Sequence, residues 1–124
     1  MKLVVLGNVK AKKNNKTMAV NRKTGKMFPM TDKVTADYIK DAVQQLKDQF
    51  VGLKVSQYPI CVQMVFYYPS KHRKDIDNSF TTILDCMKSA GIIEDDDVEH
   101  VNEVYGFFGG YDKDNPRVEI LLED

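Results

Sequence analysis

No apolar run in the chain approaches the ~20 residues that cross a bilayer, so no membrane partner is expected. The apolar part of the N-terminus, up to Leu6, is too short for a secretory signal and alternates like a first strand. Cysteine is scarce: Cys61 and Cys86 are isolated in apolar contexts, which reads as two buried free thiols in a reducing cytosol. No repeat, linker or second domain interrupts residues 1–124, and a chain of this length forms one core without staples. Net charge is also lacking, with 18 Lys and Arg against 18 Asp and Glu. A neutral total argues against a uniformly cationic nucleic-acid binder, but the charge is segregated. Residues 10–26 hold Lys10, Lys12, Lys13, Lys16, Arg22, Lys23 and Lys26 and no acid, whereas residues 91–124 hold eleven acids. Binding to a polyanion depends on a local basic footprint and not on the sum.

What is present reads as an α+β domain with a mixed sheet of about four to five strands and two main helices packed on it. Residues 1–8 are apolar on both faces of a strand, which predicts cover on both sides. Residues 18–29 predict a short hairpin about Lys23-Thr24-Gly25. Thr31 or Asp32 caps a first helix that runs to about Phe50, with Val34, Tyr38, Ile39, Val43 and Leu46 at helical spacing. Residues 58–68 form the strongest strand, stopped by Pro69. A second helix is expected from Asp77 or Asn78 to Ala90, with Gly91 just past its end. Residues 98–108 read as a strand, Gly109-Gly110 and residues 112–116 as a turn, and residues 117–122 as the last strand.

The chemistry concentrates between Ser70 and His100. Lys71-His72-Arg73-Lys74 precedes Asp75-Ile76-Asp77-Asn78, and Glu94-Asp95-Asp96-Asp97 follows the second helix. An isolated Asp-x-Asp-Asn is more often a helix cap than a site. Here it stands at a strand-to-helix junction, beside a cationic run, and a second acidic cluster follows. Ile92 and Ile93 anchor that second cluster to the core edge, where adjacent carboxylates need a counter-ion. Oxygen-only donor sets suit Mg²⁺, which keeps several waters and holds a phosphate as well. His72 reads as a phosphate contact and His100 as a polar strand residue. Phe107, Phe108 and Tyr111 read as core or dimer packing.

The run Tyr68-Pro69-Ser70-Lys71-His72-Arg73-Lys74-Asp75-Ile76-Asp77-Asn78, followed by Ala90-Gly91-Ile92-Ile93-Glu94-Asp95-Asp96-Asp97, resembles the signature of the RusA family of Holliday junction resolvases. Lys12-Lys13-Asn14-Asn15-Lys16 resembles the opening of that family. The likeness covers nearly the whole chain in order and spacing. It implies a cytoplasmic homodimeric endonuclease of a bacterial cell, a phage or a prophage. Such an enzyme uses Mg²⁺ or Mn²⁺ to cut four-way DNA junctions by paired nicks. Carried over by position, Asp75, Asp77 and Asp96 are the catalytic metal-binding aspartates. Asp95 is a further ligand, and Asp97 shifts the register by one. Lys74 is a catalytic cation, and Asn78 matches the motif asparagine. Lys12, Lys13, Asn14, Asn15, Lys16, Arg22, Lys23, Lys71, His72, Arg73 and Asn78 face the DNA. One position departs: better-known members carry a lysine one helical turn beyond the second aspartate, where this chain has Thr81. Lys74 or a lysine of the N-terminal loop then supplies the charge. The competing expectations are a junction-binding module with weak or lost catalysis, and a less selective metal-dependent nuclease.

Overall fold

The computed structural model describes residues 1–11, 16–52, 55–72 and 74–123, with side chains omitted at 16–19 and 28–31. The elements are β1 (Lys2–Leu6), β2 (Lys16–Val20), β3 (Met27–Thr31), α1 (Lys33–Gln49), β4 (Ile60–Tyr68), α2 (Ile76–Ser89), β5 (Val101–Tyr111) and β6 (Arg117–Glu123). Four strands form one mixed sheet in the order β1-β6-β4-β5. Only the β4–β5 pair is parallel, and α2 is the crossover between its two strands. The class is α+β, as the order of patterns predicts.

Strict alternation along β4 buries Ile60, Val62, Met64, Phe66 and Tyr68 on one face and leaves the intervening residues half-buried. Leu3 and Val5 of β1 and Val118, Ile120 and Leu122 of β6 continue that apolar face. Ala42 and Leu46 of α1 and Ile83, Cys86 and Met87 of α2 close the core over it. Burying a side chain such as Phe66 contributes about 1.5–3 kcal/mol. Neither cysteine is in a disulfide; Cys86 is buried and Cys61 half-buried. Among the described residues, no helix is long and apolar enough to cross a membrane.

Two expectations about the strands change. β1 is covered on one face only, since Leu6 is 51% exposed. β1 is an edge strand, and α1 covers the edge itself. Gln49 accepts from the Val4 N–H at 2.8 Å and donates to its carbonyl at 2.6 Å; Gln45 does the same for Leu6 at 2.8 and 3.1 Å. Two glutamine side chains thus replace a neighbouring strand and blunt an edge open to pairing. The second change is in β5, which begins at Val101 and continues through Gly109-Gly110 to Tyr111. That pair is not a turn but lies at a shift in register against β4, between the pairs Phe66–Phe108 and Tyr67–Gly110. Residues 98–100 form a turn instead of strand.

The basic N-terminal segment pairs with itself as a separate two-stranded sheet, β2 against β3. Its turn closes through Gly25 N–H to the Asn21 carbonyl at 2.7 Å and Asn21 N–H to the Lys26 carbonyl at 2.8 Å. The hairpin predicted about Lys23-Thr24-Gly25 is present and longer than expected. Asp32 caps α1 by accepting from the Thr35 N–H at 2.8 Å, and Phe50 ends the helix, both as expected.

Candidate active site

β4 delivers the chain to the start of α2 at Ile76, one residue or two before the start that the sequence pattern suggests. The N-cap is Asp75, with extended backbone, and not Asp77 or Asn78. The carboxylate of Asp75 makes no capping hydrogen bond. It accepts instead from the Asn78 amide at 3.3 Å, so the motif asparagine orients the first aspartate. Asp77 lies in the first turn, exposed, where the positive end of the helix dipole favours a negative charge.

The head of α2 is held closely against the sheet. A Cβ at Gly106 of β5 would lie 2.8 Å from Ile76 Cγ2 and 3.5 Å from Phe80 Cδ2, so only glycine admits this approach. A second tie lies beneath: the buried Tyr68 hydroxyl donates to Ser79 Oγ at 3.1 Å. Burial raises the Tyr68 pKa and keeps the phenol neutral.

Lys71 and His72 are exposed beside this turn, and Lys74 is half-buried. Burial, and then the charge of Lys10, push the Lys74 pKa down. Lys10 therefore joins the cation group, which sequence spacing did not reveal. None of Lys71, His72 and Lys74 forms an ion pair with a described carboxylate. Arg22 and Lys23 are exposed in the turn of the hairpin. Lys12, Lys13, Asn14, Asn15 and Arg73 lie outside the described residues, and only the backbone of Lys16 is described.

The second acidic cluster sits at the other end of α2. Ile92 and Ile93 are 2% and 1% exposed, so the cluster is anchored as its sequence predicts. Two basic side chains of the protein lie beside it. Lys88, in the last turn of α2, lies 3.6 Å from Asp95 and 3.3 Å from Asp96. His100 lies 2.7 Å from Asp97 and 3.5 Å from Glu94, and its ring meets Tyr58 edge-on. The Asp96 N–H donates to Asp95 at 2.8 Å and lowers the Asp95 pKa. The hydrogen bond between Asp97 and the His100 ring lowers the Asp97 pKa and raises that of His100. Lys88 and His100 were not assigned these roles from sequence. The signal was a basic residue in the last helical turn, within one short loop of the acids.

The structure brings Asp75, Asp77, Asn78 and Lys74 together and leaves Asp95 and Asp96 at the far end of a helix about 21 Å long. Among the described residues, no three acidic, histidine or cysteine side chains converge as a metal site. The Asp75–Asp77 pair still fits the chemistry of Mg²⁺, which takes one or two carboxylates together with substrate phosphate. Thr81 donates to the Asp77 carbonyl at 2.9 Å, so no cation stands one turn beyond the second aspartate.

The chain is 32% identical over 79 residues to a crossover junction endodeoxyribonuclease RusA of Aquifex aeolicus (strain VF5). That match spans 64% of this chain and 60% of the relative, less than two thirds of its length. The family described as endodeoxyribonuclease RusA matches residues 7–123, from the end of β1 through β6 and across both acidic clusters. By that match the chain belongs to the RusA family.

Proposed function

We propose that the chain is the subunit of a homodimeric endonuclease that cuts four-way DNA junctions by paired nicks with Mg²⁺ or Mn²⁺. The observation that carries this reading is the head of α2. There two carboxylates and a group of cations without described acidic partners stand at one strand-to-helix junction. Family membership and the name of the Aquifex relative support the same reaction class.

Asp75 and Asp77 would hold the metal. When bound, Mg²⁺ lowers the pKa of an attacking water and offsets charge on the phosphoryl oxygens. Asn78 keeps the Asp75 carboxylate aimed by its amide. Lys74 offers positive charge beside the pair, and Lys71 and His72 hold backbone phosphates in register. Arg22 and Lys23, exposed in the hairpin turn, are further DNA contacts, with Lys12, Lys13, Asn14, Asn15, Lys16 and Arg73, by their place in the sequence.

Asp96 reaches Asp75 and Asp77 across two chains and not within one. A two-fold copy with α2 antiparallel sets its C-terminal end, with Asp95 and Asp96, at the first chain's N-terminal end. Each dimer then holds two complete sites, as two symmetric cuts require. A second reading, a junction-binding module with weak catalysis, is favoured by Thr81 standing where a lysine is expected.

One assay separates these readings: nicking of a four-way junction, a linear duplex and a single strand, each with Mg²⁺, Mn²⁺ and EDTA. The proposal expects metal-dependent nicking of the junction alone. Binding without nicking at any metal concentration favours the second reading, and equal cutting of linear and branched DNA removes the structure selectivity.

A further inference from the structure

Beside the head of α2 lies an open recess of about 410 Å³, lined by Tyr68, Lys71, His72, Lys74, Ile76, Phe108 and Tyr111. Its size falls within the range of small-ligand sites. Three aromatic rings form one wall. Tyr68 and Phe108 stack with centroids 6.2 Å apart, and Phe108 meets Tyr111 edge-on at 5.1 Å. Phe108 and Tyr111 are 50% and 52% exposed, so their faces are not spent on the core. Lys71, His72 and Lys74 form the rim.

This wall is built by the irregularity in β5. Residues 108 and 111 are three apart, and in a regular strand they point to opposite faces. The register shift pairs Phe66 with Phe108 and Tyr68 with Tyr111, so the extra residue, Gly109, returns both rings to one face. Glycine is required there: a Cβ on Gly109 would lie 2.7 Å from the Tyr67 ring and from Val65 Cγ1. Gly110 follows with φ of 133°, open only to glycine at low cost.

We propose that the recess receives one unpaired nucleobase from the branch point, stacked on Phe108 and Tyr111, while Lys71, His72 and Lys74 hold its flanking phosphates. The inference rests on the nuclease reading, and it adds how a branch is told from a duplex. Exposed aromatic faces attract any base, because every base has a π-face. The cationic rim selects a ligand that carries phosphate beside its ring. A paired base presents only an edge, so an intact duplex supplies the phosphates and not the stack. Lys74 and Ile76 line the recess on either side of Asp75 in sequence, so a captured base sets its own backbone beside the carboxylate pair.

The test is metal-free binding, in EDTA, by the full chain to three DNAs: a four-way junction, a duplex with one unpaired base, and the matching linear duplex. The double variant Phe108→Leu, Tyr111→Leu should lose at least about fivefold in affinity for the first two. Its affinity for the linear duplex should change by less than about twofold, the phosphate contacts being kept. Phe108→Trp should bind all three as the parent does, which separates stacking from loss of fold. Equal loss on all three DNAs, no loss on any, or no binding to branched DNA by the parent overturns the proposal. So does a change in the dimer of the double variant, since the rings would then pack against a second copy. Junction nicking with no binding difference sinks the recess alone. A binding difference without nicking sinks the nuclease reading and leaves the recess standing.

Discussion

At the N-terminal end of α2, Lys71, His72 and Lys74 stand beside Asp75 and Asp77, and no described carboxylate pairs with these three. At the C-terminal end, every acid from Glu94 to Asp97 has a cation within 3.6 Å, Lys88 or His100. Both ends combine acids with bases, yet at one the described bases contact the acids and at the other Lys71, His72 and Lys74 contact no described acid. The C-terminal cluster reaches an external cation only by giving up contacts already made to Lys88.

The largest break in this comparison is expected from Asp75→Asn. Removing even an outer partner of a metal ligand costs about 10–100-fold, so loss of a ligand should lower junction nicking by more than about a hundredfold. Binding should hold or tighten, since a negative charge beside phosphate is removed. A nicking assay at saturating Mg²⁺, run beside a metal-free binding titration, separates the two effects. Next is Gly106→Ala, which drives a methyl group into Ile76 at the head of α2. Overpacking of this kind costs about 1–3 kcal/mol. The thermal midpoint should fall, and nicking should fall with it, because Asp75 and Asp77 flank Ile76.

Smaller effects follow from the cations. Lys71→Ala and Lys74→Ala should each flatten the plot of log affinity against log salt by about 0.9 on duplex arms. Lys88→Ala should leave that slope unchanged, because Lys88 faces acids and not DNA. The smallest effect is on stability at the C-terminal end. The pKa of His100 is raised above 6.5 by its bond to Asp97, and that of Asp97 is lowered below 3.8 by the same bond. The His100 contribution is complete below pH 6.5 and is lost as pH rises through the raised value. The Asp97 contribution is present above pH 3.8 and is lost as pH falls through the lowered value. The parent should therefore lose part of its thermal midpoint on titration upward from pH 6.5, and His100→Asn should lose less over the same span.

Much of this architecture is legible in the chain. Period 2 over residues 58–68 and period 3.6 over the two helices are strong because β4 and both helices each bury one face. The ends of elements are weaker. Asp77 and Asn78 are both good caps, and local chemistry alone does not show that α2 starts earlier, with Asp75 as its N-cap. Gly109-Gly110 reads as a turn because glycine permits turns. Only the neighbouring Tyr67 and Val65 show that it is an irregularity inside a strand. At the site, Asp75, Asp77, Asn78 and Lys74 are close in sequence and close in space. The place of Asp96 relative to Asp75 is not legible, because it depends on the length of α2 and on the loop that follows it.

In the proposed dimer, Asp75 and Asp77 of one chain work with Asp96 of the other. Asp77→Asn and Asp96→Asn chains, each inactive alone, can be co-expressed as mixed dimers and assayed for junction nicking. Sites shared across chains leave one of the two complete in each mixed dimer, so nicking should return, limited to one strand. A mixed dimer as inactive as its parents would rule out the shared sites and place each site within a single chain.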